Sequence, residues 1–136
     1  MEKQLLEILQ QELKAMQGLL QVLEEQYEFL VKQDVFKLEA IVGNIEEASR
    51  ELARCESKRR GLVGKSTLKE ITEKVKNEEI SLVCDDINKI IAELQLQKDS
   101  NDLLIKQSLS YTNAMLAMIS PKQEKLTYNG YGKIGK

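Results

Sequence analysis

The chain has no histidine, no tryptophan, one proline and two cysteines among its 136 residues. Without histidine, the commonest general base, the Ser-His and Cys-His nucleophile pairs and most catalytic zinc sites are excluded together. No catalytic, cofactor-binding or metal-ligating residue is therefore assigned, and a non-enzymatic protein that needs no cofactor is expected. A basic excess is missing too: 20 Lys+Arg stand against 22 Asp+Glu, for a net charge of -2, so the electrostatic footprint of a general nucleic-acid binder is absent. No run approaches the ~20 apolar residues of a membrane span, and no N-terminal stretch reads as a secretory signal. A cytoplasmic protein without membrane insertion is expected. Cys55 and Cys84 have no metal-ligand spacing and no disulfide framework around them, and read as small buried hydrophobes in a reducing compartment.

Aromatic residues make up only 4% of the chain, while 42% is hydrophobic and 31% charged, a balance suited to long helices with charged outer faces. The one proline is Pro121 and glycine is sparse before residue 130, so little interrupts a helix over the first 120 residues. Leu6, Leu9, Leu13, Met16, Leu20, Leu23, Tyr27 and Leu30 alternate spacings of three and four, the seam of a heptad repeat. A second row, Leu5, Ile8, Ala15, Leu19, Val22 and Phe29, is interrupted by Glu12 and Gln26 and lies about 110° around the helix. Two apolar seams require two neighbours. After a polar break at Lys32-Gln33-Asp34, in which Asp34 fits an N-cap, a second helix carries Leu38, Ile41, Ile45, Ala48, Leu52, Cys55 and Leu62, with Arg59 as the charged intruder. Thr67-Leu68-Lys69-Glu70 fits a capping box. The seam that follows runs from Ile80 to Met118 in one register, with Gln97, Asn101 and Ser108 as its polar members.

These patterns predict an all-α fold: an antiparallel bundle of three long, coiled-coil-like helices over approximately 2–32, 34–62 and 67–119. The bundle domain spans 1–120. Residues 121–136 hold four Lys, three Gly, Tyr128 and Tyr131, cannot form a core, and read as a flexible docking tail.

Other candidate motifs reduce to structure. Gly64-Lys65-Ser66 resembles the end of a phosphate-binding loop, but the glycine required five positions earlier is Arg59. Glu46-Glu47, Glu78-Glu79 and Asp85-Asp86 diverge by about 100° on a helix and read as solvated faces. Lys58-Arg59-Arg60 falls in the last turn of the second helix, where cations complement the helix dipole. Met115 and Met118 suit either a core or an adaptable peptide groove.

The order of features resembles the FlgN family of flagellar export chaperones across nearly the whole chain. The similarity is carried by Leu5-Leu6 and Leu9 before Glu12, by Leu30, Asp34 and Leu38 across the first turn, and by Lys58-Arg59-Arg60. It continues in Asn101-Asp102-Leu103-Leu104 with Ser108-Leu109-Ser110-Tyr111, and in Tyr128-Asn129-Gly130. Lys98 stands where the family block often has its first Asn. The resemblance implies a cytoplasmic chaperone of flagellar type III secretion that binds hook-filament junction (hook-associated) proteins, prevents their premature assembly and delivers them to the export gate. Tyr128 matches the family's terminal tyrosine, which is associated with docking to the export apparatus. The client is expected on the second half of the third helix, at Leu103, Leu104, Leu109, Met115, Leu116, Met118 and Ile119, where polar seam positions coincide with off-seam apolar residues. A structural coiled-coil adaptor that self-associates is the alternative.

Overall fold

The computed structural model describes residues 1–119 and two short strands. Four helices are present: α1 (Glu2–Lys32), α2 (Val35–Val63), α3 (Leu68–Lys74) and α4 (Glu78–Ile119). The strands, β1 (Thr127–Tyr128) and β2 (Ile134–Gly135), pair antiparallel. The expected flexible tail over 121–136 otherwise falls outside the described residues.

The first turn closes tightly. Gln33 adopts φ 55, and the N–H groups of Gln33 and Asp34 donate to the carbonyls of Leu30 and Phe29, ending α1 in a left-handed cap. Asp34 then caps α2, its Oδ1 accepting from the Lys37 N–H at 3.1 Å. The chain therefore reverses within two residues.

The third helix, whose continuity the sequence left open, is bent. Thr67 caps the short α3 through its hydroxyl, Val75 is extended, and Asn77 restarts the helix with its Oδ1 accepting from the N–H groups of Glu79 and Ile80. The extent 67–119 is thus divided at Val75–Asn77. Asn77 followed by Glu78 and Glu79, a cap with negative charge in the first turn, is a helix-start signal that competes with the unbroken heptad.

The main helices run up, down and up, and α1 lies in the middle. It packs against both α2 and α4, whereas among the described residues no Cα of α2 comes within 8 Å of one in α4. The two-seam reading of α1 thereby acquires its reason. Its most buried positions, Leu5, Leu9, Glu12, Met16 and Leu30, follow a line between the two rows, and Tyr27 is left exposed at the margin. The core gathers Leu5, Leu9 and Met16 with Ile71, Ile80, Cys84, Ile87 and Ile90, and half-buried Leu20, Leu52 and Leu62 pack against it. Burying a side chain such as Leu9 or Ile87 completely contributes about 1.5–3 kcal/mol. Both cysteines are buried and free.

Two polar layers cross this apolar framework. Glu12, only 1% exposed, receives the Arg59 Nε at 2.9 and 3.2 Å on its two carboxylate oxygens. The charged interruptions of the α1 and α2 seams are partners, so Arg59 turns inward instead of serving the helix dipole alone. Farther along, Asn101 donates through Nδ2 to the Leu23 carbonyl at 2.8 Å and to Gln26 Oε1 at 2.9 Å, and its Oδ1 accepts from Gln97 Nε2 at 3.0 Å. Gln97 is the third amide of this layer, after Asn101 and Gln26; its neighbour Lys98 is exposed and pairs with Asp102. Glu47 lies on the outer face of α2 between Arg50 and Arg54, a solvated ion-pair cluster.

Candidate functional site

The pairing of Asn101 with Gln26 sets α1 and α4 side by side with their N-termini at the same end. In that register the last residue of α1 lies level with about residue 107 of α4, and α4 continues for about twelve residues, ~18 Å at ~1.5 Å per residue. Its heptad seam continues as well. Up to Leu104 the seam is buried or half-buried, but Ser108, Tyr111, Met115 and Met118 are exposed, Tyr111 at 65% and Met118 at 80%. Helix and stripe outlast the partner that covers them.

At this level the bundle opens into a groove of about 870 Å³. One wall is α4, with Leu104, Ile105, Leu109 and Tyr111; the other is the α1–α2 turn, with Leu30, Val31, Val35 and Leu38. Amides and hydroxyls, those of Gln26, Gln33, Gln107, Ser108 and Thr112, supply the polar groups, and among the described residues no charged side chain lines it. Lys106, the only charged residue from Leu103 to Ile119, sits about 160° around α4 from Ser108 at ~100° per residue, away from the opening. Such a surface offers shape and apolar contact with a few hydrogen bonds, and suits the apolar face of a helix.

The residues expected at the client site divide into three groups. Leu104 and Leu109 line the groove directly. Met115, Leu116 and Ile119 continue the same face of α4 beyond it and Met118 borders that face, all within about 80° of Ser108, and all four are exposed. Leu103 lies about 140° from Ser108 and joins Leu96 on the opposite, outward face of the helix, 57% exposed. The structure therefore does not bring Leu103 together with the others. Heptad spacing could not reveal the second wall, because Val31 and Val35 belong to no seam. The side chain of Tyr128 lies outside the described residues.

Among the described residues no acid, base and nucleophile converge on the groove, and no cluster of His, Cys, Asp and Glu has the arrangement of a metal site. No described helix is long and apolar enough to cross a membrane. A protein-family profile, FlgN protein, matches residues 1–136, the entire chain. The chain belongs to the FlgN family. This is a family of flagellar export chaperones, which are non-enzymatic and act on flagellar proteins. Comparison with curated proteins and with solved structures gives no significant match.

Proposed function

We propose that this FlgN-family protein is a cytoplasmic chaperone that holds a terminal amphipathic helix of a hook-filament junction protein in the groove between α4 and the α1–α2 turn. Family membership supports the general role. The observation that carries the specific reading is the continuity of an uncharged apolar groove with an exposed apolar helix end. A client helix laid along α4 covers its own polymerising face while it is held, and no nucleotide or metal is required. The C-terminal segment then presents Tyr128 to the export gate. A tyrosine supplies a large amphipathic contact at low entropic cost, and the neighbouring lysines suit an acidic receptor at salt-sensitive strength.

Calorimetry with a junction-protein terminal peptide tests the capture step. Leu109→Asp and Leu116→Asp are expected to weaken binding by about tenfold or more with an unchanged circular-dichroism spectrum, while Leu103→Asp, on the outward face, leaves it intact. Equal loss in Leu103→Asp, or none in the other two, moves the site elsewhere. Tyr128→Ala is expected to reduce export of the client in cells and to leave capture unchanged; a variant that exports normally but loses the client refutes the docking role.

A further inference from the structure

The end of the bundle opposite the groove carries a surface of the reverse chemistry. Residues 58–76, from the last turns of α2 to the residue before the Asn77 cap, hold seven of the chain's 20 basic residues and only two acidic ones, Glu70 and Glu73. Arg59 is committed to Glu12. The other six, Lys58, Arg60, Lys65, Lys69, Lys74 and Lys76, are all exposed, and among the described residues none of them forms an ion pair. Helix dipoles account for Arg60 and Lys74, in the last turns of α2 and α3. They do not account for Lys65, Lys69 and Lys76, which stand just before or just inside helix starts, where a cation opposes the dipole.

Among these cations lies an apolar recess. Leu5, Leu62, Val63, Ile71 and Val75 line a hollow of about 270 Å³ where the start of α1 meets the end of α2 and α3, with Lys74 from α3 and Glu2 from α1. Leu62 also lines a neighbouring groove, together with Ile8 and Glu7 from α1 and Lys58 from α2. The apolar floor therefore continues across Leu62 from one to the other. We propose that this end of the bundle binds an acidic peptide segment of a second partner protein, seated by one apolar side chain in the recess, with peptide carboxylates against Lys58, Lys65, Lys69 and Lys74. Two features select a peptide over other polyanions. The apolar contact is concave and smaller than the ~300–1,000 Å³ of a small-molecule site, so it admits a side chain, whereas an anionic membrane surface is met by apolar groups that protrude. No aromatic residue occurs between 58 and 76, so the segment offers no stacking platform for nucleic-acid bases. Leu5 in the recess and Leu30 in the groove are ~37 Å apart along α1 at ~1.5 Å per residue, so the acidic segment and a polypeptide in the groove are held without competing.

Fluorescence anisotropy of the full chain with a labelled peptide of about twelve residues, a single central leucine among glutamates and aspartates, tests the assignment. Binding is expected to weaken about tenfold when the leucine is replaced by serine, and about tenfold between ~50 and ~300 mM NaCl. The Lys65→Glu/Lys69→Glu/Lys74→Glu variant should lose the peptide with an unchanged circular-dichroism spectrum. In contrast, Lys14→Glu/Lys89→Glu/Lys106→Glu, an equal change of net charge at exposed positions elsewhere, should bind within about twofold of the parent. Ser66→Trp, which places a ring in the recess, should bind the leucine and serine peptides equally. Equal affinity of the parent for the two peptides means attraction by charge alone and overturns the proposal, as does equal loss in the two triple variants. Absence of peptide binding overturns it too, and binding to vesicles with about 30% phosphatidylserine in its place assigns the cations to a membrane surface.

Discussion

The buried Glu12–Arg59 pair allows a quantitative test of how α1 and α2 are joined. The Glu12 side chain is 2% exposed and that of Arg59 14%, so the pair is nearly removed from water. Replacing Arg59 by Met keeps most of the apolar stem but strands a carboxylate in the core, and breaking a buried pair in this way costs ~3–5 kcal/mol. At roughly 3 °C per kcal/mol for a chain of this size, the melting temperature should fall by ~10–15 °C. The urea midpoint should fall by about 2 M for an m-value near 2 kcal/mol/M. Glu12→Leu should cost less, because the long Arg59 side chain can swing its head to the surface whereas Glu12, in mid-helix, cannot. The double variant Glu12→Leu/Arg59→Met restores an apolar layer and should return to within about 1 kcal/mol of the parent, a coupling near 3 kcal/mol. Equilibrium urea unfolding of the four proteins reads the cycle. A loss under ~1 kcal/mol in Arg59→Met, or a double variant as unstable as the two singles combined, would refute a buried, coupled pair.

The amide layer and the thiols give two further expectations. Asn101→Ala removes the donors to Gln26 and the Leu23 carbonyl and strands their oxygens, for a loss of ~1–3 kcal/mol in urea unfolding; a neutral result would mean that water already serves those groups. Burial pushes the thiols of Cys84 and Cys55 up, and the charge of Glu51 reinforces the shift at Cys55. The unfolded chain ionises its thiols first, near ~8.5, so their contribution is complete below that pH and declines above it by up to ~1.4 kcal/mol per pH unit for each thiol. The Cys55→Ala/Cys84→Ala protein should therefore lose stability less steeply between pH 8.5 and 10 than the parent, and identical slopes in urea titrations would contradict the assignment.

The sequence disclosed the helices and the division of labour on α1 because periodicity is local: every seam residue repeats within one or two turns. It also exposed Glu12, Gln26, Arg59 and Asn101 as interruptions, but not as partners, since Glu12 and Arg59 are 47 positions apart and Gln26 and Asn101 are 75 apart. Pairing at that range depends on how helices are stacked, which no window of sequence contains. Whether the helix opened at Thr67 joins the seam from Ile80 was left open by the sequence, and the break at Val75–Asn77 settles it. At the site, two residues of α4's wall were named from the sequence, Leu104 on the seam and Leu109 off it, while Ile105 was not, and Leu103 was included because spacing along the chain does not say which faces a neighbour covers. The wall from Val31 to Leu38 became visible only once the turn had folded.

The amide layer links stability to function through register. Apolar seams alone tolerate sliding, because one heptad of Leu and Ile resembles the next, whereas Asn101 is satisfied at one level only, beside Gln26 and the Leu23 carbonyl. Sliding α4 by a heptad to bring Ser108 beside Gln26 would shorten the projecting end by ~10 Å and draw Tyr111 and Met115 against α1. The groove would then be filled by the protein's own seam. Sliding the other way would set Leu94 at that level and leave Gln26 buried without an amide partner, at a cost of ~1–3 kcal/mol. The core around Leu9 and Ile87 supplies the apolar burial that holds the helices together, and the Asn101 layer decides where their coverage stops. An exposed, uncharged stretch of α4 is therefore a consequence of a specified register, not of a helix that happens to be too long.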